Sequence, residues 1–296
     1  MLAISAASAG ASVSSVLLKL FFVWTAAVLR ALGARRVKLE LGDTTVLCYE
    51  IGPPDGEPWV LLHGLGATAL AWSPAIKRLR TEVKLLVPEL SSLGGTVSPG
   101  GGLNVSEGAE AVKALIEWWS PGRPVNLAGI SLGGWISTRV TLERPDLIER
   151  LVLIDAGGYR DQDWGRIQEL TDVSNLADVD RLYKALFHRT PLVFRLSRHA
   201  FLQAYSSPAV RYILGTTTPD HTYSPEDLAT LEKPTLLVWG DQDGLFQLQV
   251  ARDMARHLPH AQLVTLPNTG HAAHWENARA MIDAIDQFRR LGLDPG

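Results

Sequence analysis

Short apolar runs recur along the chain at Trp59–Leu62, Val83–Val87, Val125–Ala128, Leu151–Ile154 and Leu236–Trp239. Trp59–Leu62, Leu151–Ile154 and Leu236–Trp239 are continuous rather than alternating, and the other two are broken only by Lys84 and Asn126, which is the pattern of a strand buried on both faces. Between them lie stretches with helical spacing: Trp72–Leu79, Val105–Trp119, a segment carrying Trp135, Ile136, Val140 and Leu142, and residues 247–257 and 277–291. Gln262–Leu266 adds a last strand. Upstream, Val37–Leu41 and Thr45–Ile51 alternate and predict a hairpin around Gly42-Asp43, followed by a turn at Pro53-Pro54-Asp55-Gly56. Buried strands alternating with helices predict an α/β fold with a doubly wound, mainly parallel sheet.

The alternation breaks once. From Tyr159 to about Leu231 there is no buried-strand run, and short helical segments are separated by Pro191, Pro208, Pro219 and Pro225. The chain therefore divides into an N-terminal apolar helix (1–33), a first core part (34–158), a helical insertion (159–231) and a second core part (232–296). An insertion between two sheet strands is expected to sit at their carboxyl edge as a lid. Ser91–Gly102, rich in glycine and serine, reads as a mobile surface loop.

The N-terminal stretch differs from the rest. Residues 1–33 hold no acid, and Val13–Leu32 is apolar apart from Ser14, Ser15, Lys19, Thr25 and Arg30. That is just long enough to span a bilayer, although Lys19 near its middle is costly there. No base precedes the run, which argues against a cleaved signal peptide. Val13, Leu17, Leu20, Trp24 and Val28 share a helical face, so an interfacial helix and a helix packed on the domain are the alternatives. Membrane association is the expectation. Arg30, Arg35, Arg36 and Lys38 follow the run, which would leave the main domain cytoplasmic.

Composition narrows the function classes. The net charge is -3 with 20% charged residues, so nothing points to nucleic acid. Cys48 is the single cysteine. It excludes an intrachain disulfide and a cysteine-only metal site, and within Val46-Leu47-Cys48-Tyr49 it reads as a buried thiol. His188, His199, His221, His257 and His260 lack metal-ligand spacing.

The chemistry centres on Gly129-Ile130-Ser131-Leu132-Gly133, which follows an apolar run and precedes a helical pattern. In that setting G-x-S-x-G is a nucleophile elbow, a strand-to-helix turn so tight that it lifts the serine hydroxyl clear of the sheet. Gly240-Asp241-Gln242-Asp243 ends a later strand and Asn268-Thr269-Gly270-His271 follows the last one. A serine hydroxyl is a poor nucleophile at neutral pH. His271 would take its proton, and Asp243 would hold the imidazole in one tautomer. His63-Gly64-Leu65 ends another strand; the backbone N–H groups of Leu65 and Leu132 would form an oxyanion hole. Asp241 and Asp155 are alternatives for the acid, and His274 for the base. Asp241, Asp243 and Gly244 resemble a calcium loop only superficially, because the other ligands are missing.

His63-Gly64-Leu65, Gly129-Ile130-Ser131-Leu132-Gly133-Gly134, Gly240-Asp241-Gln242-Asp243 and Gly270-His271, in that order, resemble the α/β-hydrolase superfamily from about Val37 to the end. The helical insertion, the apolar N-terminus and the loose pattern Tyr183–Leu202 look like lid-bearing monoacylglycerol lipases and bacterial membrane-anchored phospholipases A. The resemblance implies a serine hydrolase with Asp243 as the acid, His63 as a structural residue of the oxyanion loop, and no metal or organic cofactor. Members with an aspartate nucleophile are excluded by Ser131. Relatives often carry aspartate where Glu89 stands, a regular glycine turn where Leu93-Gly94-Gly95 stands, and a proline near Phe246. These departures bear on the pocket rim.

Within the insertion, Leu182, Leu186, Phe187, Leu192, Phe194, Leu196, Phe201, Leu202 and Tyr205 form an apolar series, part core and part acyl-channel lining. Arg181, Lys184, Arg189, Arg195 and Arg198 interleave with it. They read first as a solvated outer face and second as partners of anionic head groups. The expected function is cleavage of lipid-like acyl esters through an acyl-enzyme on Ser131. The alternatives are a soluble small-ester or carbon–carbon bond hydrolase and a slow-turnover hydrolase-fold receptor. Oligomeric state is left open.

Overall fold

A computed structural model describes residues 24–90 and 95–291. Strands β1 (Arg35–Leu41), β2 (Thr44–Ile51), β3 (Glu57–Leu62), β4 (Val83–Pro88), β5 (Val125–Ile130), β6 (Ile148–Ile154), β7 (Thr235–Gly240) and β8 (Ala261–Leu266) form one sheet in the order β1-β2-β4-β3-β5-β6-β7-β8. β1 and β2 are the expected hairpin, and β2 lies antiparallel to β4. Every other pairing is parallel. The continuous apolar runs are the central strands, because alternate side chains feed two different cores. Val60, Leu62, Leu127, Leu151 and Leu153 face one core; Trp59, Leu61, Ala128, Val152 and Ile154 face the other.

Helices close both faces. α3 (Val105–Trp119), α4 (Leu132–Glu143) and α11 (Leu248–His257) contribute to the first core; α2 (Ser73–Leu79) and α13 (Ala278–Arg290) contribute to the second. α3 starts on a capping box in which the Asn104 side chain accepts from the Glu107 N–H and the Glu107 side chain accepts from the Asn104 N–H.

Helix α1 (24–31) is the described end of the apolar N-terminal stretch. Leu29 is fully buried in the core shared with Ile76, Leu79 and Phe288, and an Arg80 guanidinium N–H donates to the Leu32 carbonyl at 3.3 Å. This helix thus packs on the domain along one side, through Leu29, while Trp24 stays half exposed. The remainder of the expected membrane helix, Val13–Val23, lies outside the described residues. Among the described residues no helix is long and apolar enough to cross a membrane.

The loop expected to be mobile over 91–102 is pinned along its described part. Thr96 is buried, its Oγ1 accepts from the Leu47 N–H and donates to the Glu89 carbonyl, and Val97 bridges Thr45.

The break in alternation is an insertion between β6 and β7. It comprises α5 (Trp164–Thr171), α6 (Leu176–Leu186), α7 (Leu192–Leu196), α8 (Arg198–Tyr205), α9 (Pro208–Thr216) and α10 (Pro225–Ala229). It has a core of its own, including Val179, Leu182, Tyr183, Phe187, Tyr205 and Val210.

Candidate active site

Ser131 ends β5 and caps α4 with φ 53° and ψ -114°. That left-handed backbone is costly for a residue with a Cβ, and it persists because its surroundings hold it. The Ser131 N–H donates to the Ile154 carbonyl at 2.9 Å, and its own carbonyl accepts from the Trp135 and Gly157 N–H groups at 3.0 and 3.1 Å. The flanking glycines are required sterically. A Cβ on Gly129 would lie 2.2 Å from the Gly133 carbonyl oxygen, and one on Gly133 would lie 2.4 Å from that of Leu62. Among the described residues the other non-glycine positive φ angles belong to Asp155 and Asn268, which follow β6 and β8. All three therefore stand at carboxyl ends of the sheet.

The turns after β7 and β8 bring Asp243 and His271 together. His271 Nδ1 lies 2.9 Å from Asp243 Oδ2, with both side chains buried. Asp243 Oδ1 accepts from the Leu245 and Phe246 N–H groups, each at 2.8 Å, which fixes the carboxylate. With Nδ1 on the carboxylate, the Nε2 atom is left for the cavity that His271 and Ser131 both line.

The other acids and histidines take different places. Asp241 accepts from the Thr269 N–H at 3.2 Å and so ties the two turns to each other. Asp155 Oδ1 accepts from the Gly240 N–H at 2.9 Å, while its Oδ2 is buried without a hydrogen-bond partner. Burial, then the nearby Asp243 carboxylate, holds Asp155 well above the usual carboxylate range. His274 lies on the short helix α12 (Ala273–Glu276) and lines the cavity. Its Nδ1 is buried and unpartnered, and burial, then the neighbouring His271, pushes its pKa down to about 3.

His63 holds the loop that carries Leu65. The Leu90 N–H can only donate, and it points to His63 Nε2 at 3.0 Å. Nδ1 therefore carries the ring proton and donates to the Gly64 carbonyl at 2.8 Å. A Cβ on Gly64 would stand 3.3 Å from Ser131 Cβ, so this loop runs directly past the elbow. Leu65 and Leu132 both border the cavity beside Ser131. Glu89 is buried, accepts from the Ala69 N–H at 3.1 Å, and stands 3.3 Å from His63 Nε2.

Glu276 was not among the residues expected from sequence. Its carboxylate accepts from the N–H groups of Gly270 (2.8 Å), His188 (3.1 Å) and Arg189 (2.9 Å). The Gly244 N–H donates to the Ala185 carbonyl and the Ala272 N–H to that of Leu186, both at 3.0 Å. The end of α6 is thereby zipped to both the acid turn and the base turn. Only a lone acid five positions after His271 marked this in the sequence, and its three backbone donors have no side-chain signature.

The cavity has a volume of about 440 Å³, within the range of small-molecule sites. Leu182, Leu186, Phe187, Phe194, Phe201 and Tyr205 line it from the insertion. Leu192 and Leu196 of the same apolar series do not, and are exposed. No aspartate, glutamate, lysine or arginine is among its lining residues. Among the described residues no cluster fit to hold a metal ion occurs.

The chain is similar to known proteins over most of its length. The chain is 26% identical to the dihydrolipoyllysine-residue acetyltransferase component of the acetoin cleaving system of Pseudomonas putida, over 88% of this chain and 71% of that protein. It is 23% identical to Lipase 1 of Psychrobacter immobilis, over 87% and 84%. A solved structure described as a membrane phospholipase A, a bacterial virulence factor, superposes with a TM-score of 0.81 at 22% identity, covering 97% of this chain and 96% of that one. The model of the alpha/beta hydrolase family matches residues 59–284. With that match spanning most of its length, the chain belongs to the α/β hydrolase family.

Proposed function

We propose that this protein is a serine carboxylic-ester hydrolase that cleaves lipid-like acyl esters, with Ser131 as nucleophile, His271 as base and Asp243 as its orienting acid. The observation that carries the reading is the buried Asp243–His271 pair opening on the same uncharged cavity as the strained Ser131. Ser131 Oγ attacks the ester carbonyl while His271 Nε2 takes its proton. Asp243 stabilises the resulting imidazolium, and the tetrahedral oxyanion is received by the N–H groups of Leu65 and Leu132. His271 then protonates the leaving alcohol. Water, deprotonated by the same imidazole, attacks the acyl-enzyme and releases the acid.

The lining supports an apolar acyl group and offers no fixed charge to an anionic substrate inside the cavity. A charged head group would stay outside, as a phospholipase A reaction requires. Likeness to a lipase and to a membrane phospholipase A supports the lipid class. The helical insertion acts here as the roof of the acyl site. The apolar stretch Val13–Val23 is the part that would meet the membrane.

The test is a series of p-nitrophenyl esters of rising chain length, given to the wild type and Ser131→Ala. A methylene is worth about 0.8 kcal/mol on burial, so kcat/KM is expected to rise by up to roughly fourfold per methylene until the cavity is full. Turnover by Ser131→Ala at the wild-type rate would sink the mechanism, and indifference to chain length would sink the acyl-site reading.

A further inference from the structure

Between Asp180 and Asp220 the chain contains no acid, yet it carries six cations, Arg181, Lys184, Arg189, Arg195, Arg198 and Arg211. This is a strong local reversal in a protein of net charge -3. Arg181 pairs with Asp178, and Arg198 with Asp180. Lys184, Arg189, Arg195 and Arg211 are exposed, and their side chains make no ion pair among the described residues. A face that was merely solvated would be expected to mix both signs of charge.

Helix α7 stands in the middle of this span. It turns Phe194 inward against Tyr183, Phe187 and Trp275. It leaves Leu192, Val193 and Leu196 65%, 60% and 78% exposed. Phe194 and Trp275 also line the cavity, so the exposed leucines and valine stand beside its mouth. Contiguous exposed apolar side chains of this kind mark an interaction surface. A second copy of the chain is a poor occupant, because apposing two such faces would bring unpaired cations together. Charge complementarity points instead to a surface that is apolar inside and anionic outside.

We propose that α7 and its flanking cations dock on an anionic lipid bilayer, with Leu192, Val193 and Leu196 entering the headgroup region and Arg189 and Arg195 meeting anionic lipids. The inference rests on the acyl-ester reading and deepens it. The cavity mouth would open against the lipid phase, so the ester would pass from bilayer to Ser131 without crossing water. It is also independent of the N-terminal stretch, which would hold the chain to a membrane without setting which face it turns to it.

The experiment uses the full chain with Leu196→Cys carrying an environment-sensitive fluorophore. The only other thiol, Cys48, is buried and escapes labelling. Asp55→Cys, in the exposed turn before β3, reports on the opposite edge of the sheet. Vesicles of phosphatidylcholine, with or without phosphatidylglycerol, are added, and lipid-borne quenchers measure depth. The expected result is a blue shift and quenching at position 196 on phosphatidylglycerol vesicles, with no change at position 55. Each cation near an anionic surface is worth roughly a fivefold change in partition, so Arg189→Gln with Arg195→Gln should weaken binding of this face by about twenty-five-fold. Added salt should weaken it too.

A probe at 196 that stays in water while the protein sits on vesicles overturns the proposal. So do absence of binding, an equal response of the probe at 196 on both vesicle types, and a shift that follows protein concentration without lipid. If Leu196→Cys fails to fold, Leu192→Cys carries the probe. Turnover of a soluble p-nitrophenyl ester by the same labelled protein separates the two readings. Turnover with a wet probe defeats docking alone, whereas a buried probe without turnover defeats the ester chemistry alone.

Discussion

His274 gives the site a pH signature that unfolding can read. It lies three residues beyond His271, its Nδ1 is buried without a partner, and its pKa falls from the ordinary 6.5 to about 3, first through burial and then through His271. Above about 3 the folded protein keeps this imidazole neutral. The unfolded chain protonates it below about 6.5. Between those values the unfolded state binds the extra proton, so stability rises with pH and is lost as pH falls. One group contributes a limiting slope of about 1.4 kcal/mol per pH unit, reached below the unfolded pKa, hence roughly 2.3 kcal/mol between pH 6.5 and 4.5. Asp155 acts in the opposite sense. Its raised pKa favours the fold at low pH, and that contribution is lost as pH rises from the ordinary carboxylate value toward the folded one. It is common to wild type and variant, so it cancels in their difference. The perturbation is His274→Gln, and the assay is urea unfolding followed by tryptophan fluorescence across this window. Relative to wild type, the variant should gain roughly 2.3 kcal/mol on going from pH 6.5 to 4.5. A difference in stability that stays flat with pH would refute the reasoning, because His274 would then titrate alike in both states.

Other outcomes follow from the same contacts. Asp243→Asn should fold normally but lose about 10⁴ in kcat: its amide oxygen can still accept from Leu245 and Phe246, while its NH₂ would face His271 Nδ1 and force the proton onto Nε2, the wrong tautomer. Gly129→Ala should lose about 3 kcal/mol or more and abolish turnover, since its Cβ would overlap the Gly133 carbonyl; calorimetry beside an ester assay reads both. Leu29→Ala should cost about 2–5 kcal/mol in urea unfolding if α1 belongs to the core, and almost nothing if it does not.

What could be read from the sequence depended on the kind of interaction. The parallel strands announced themselves because burial on both faces forces unbroken runs such as Leu151–Ile154, and each run is a strand of the sheet. The Ser131 elbow was legible because its strain demands glycine on both sides. Asp243 and His271 were legible through their turns, and their side chains meet. Glu276 was not, because it acts on three backbone N–H groups that any residue could supply. Helix α12 escaped notice because four residues are too few to show a helical period. The described end of the N-terminal stretch lays Leu29 in the core while Trp24 stays half exposed, and the sequence could not show this, since burial against protein and burial against lipid select the same apolar residues. The loop before α3 looked mobile, yet the Thr96 hydroxyl and the Val97 backbone tie its described part to β2.

The central claim is that Ser131 is the nucleophile. The most direct measurement is mass spectrometry of the protein after exposure to a fluorophosphonate, which reacts covalently with an activated serine. A single adduct on the peptide containing Ser131, formed by the wild type and slowed about 10⁴-fold in Asp243→Asn, is the predicted result. No adduct on a folded protein that turns over esters, or an adduct on any other residue, would contradict it.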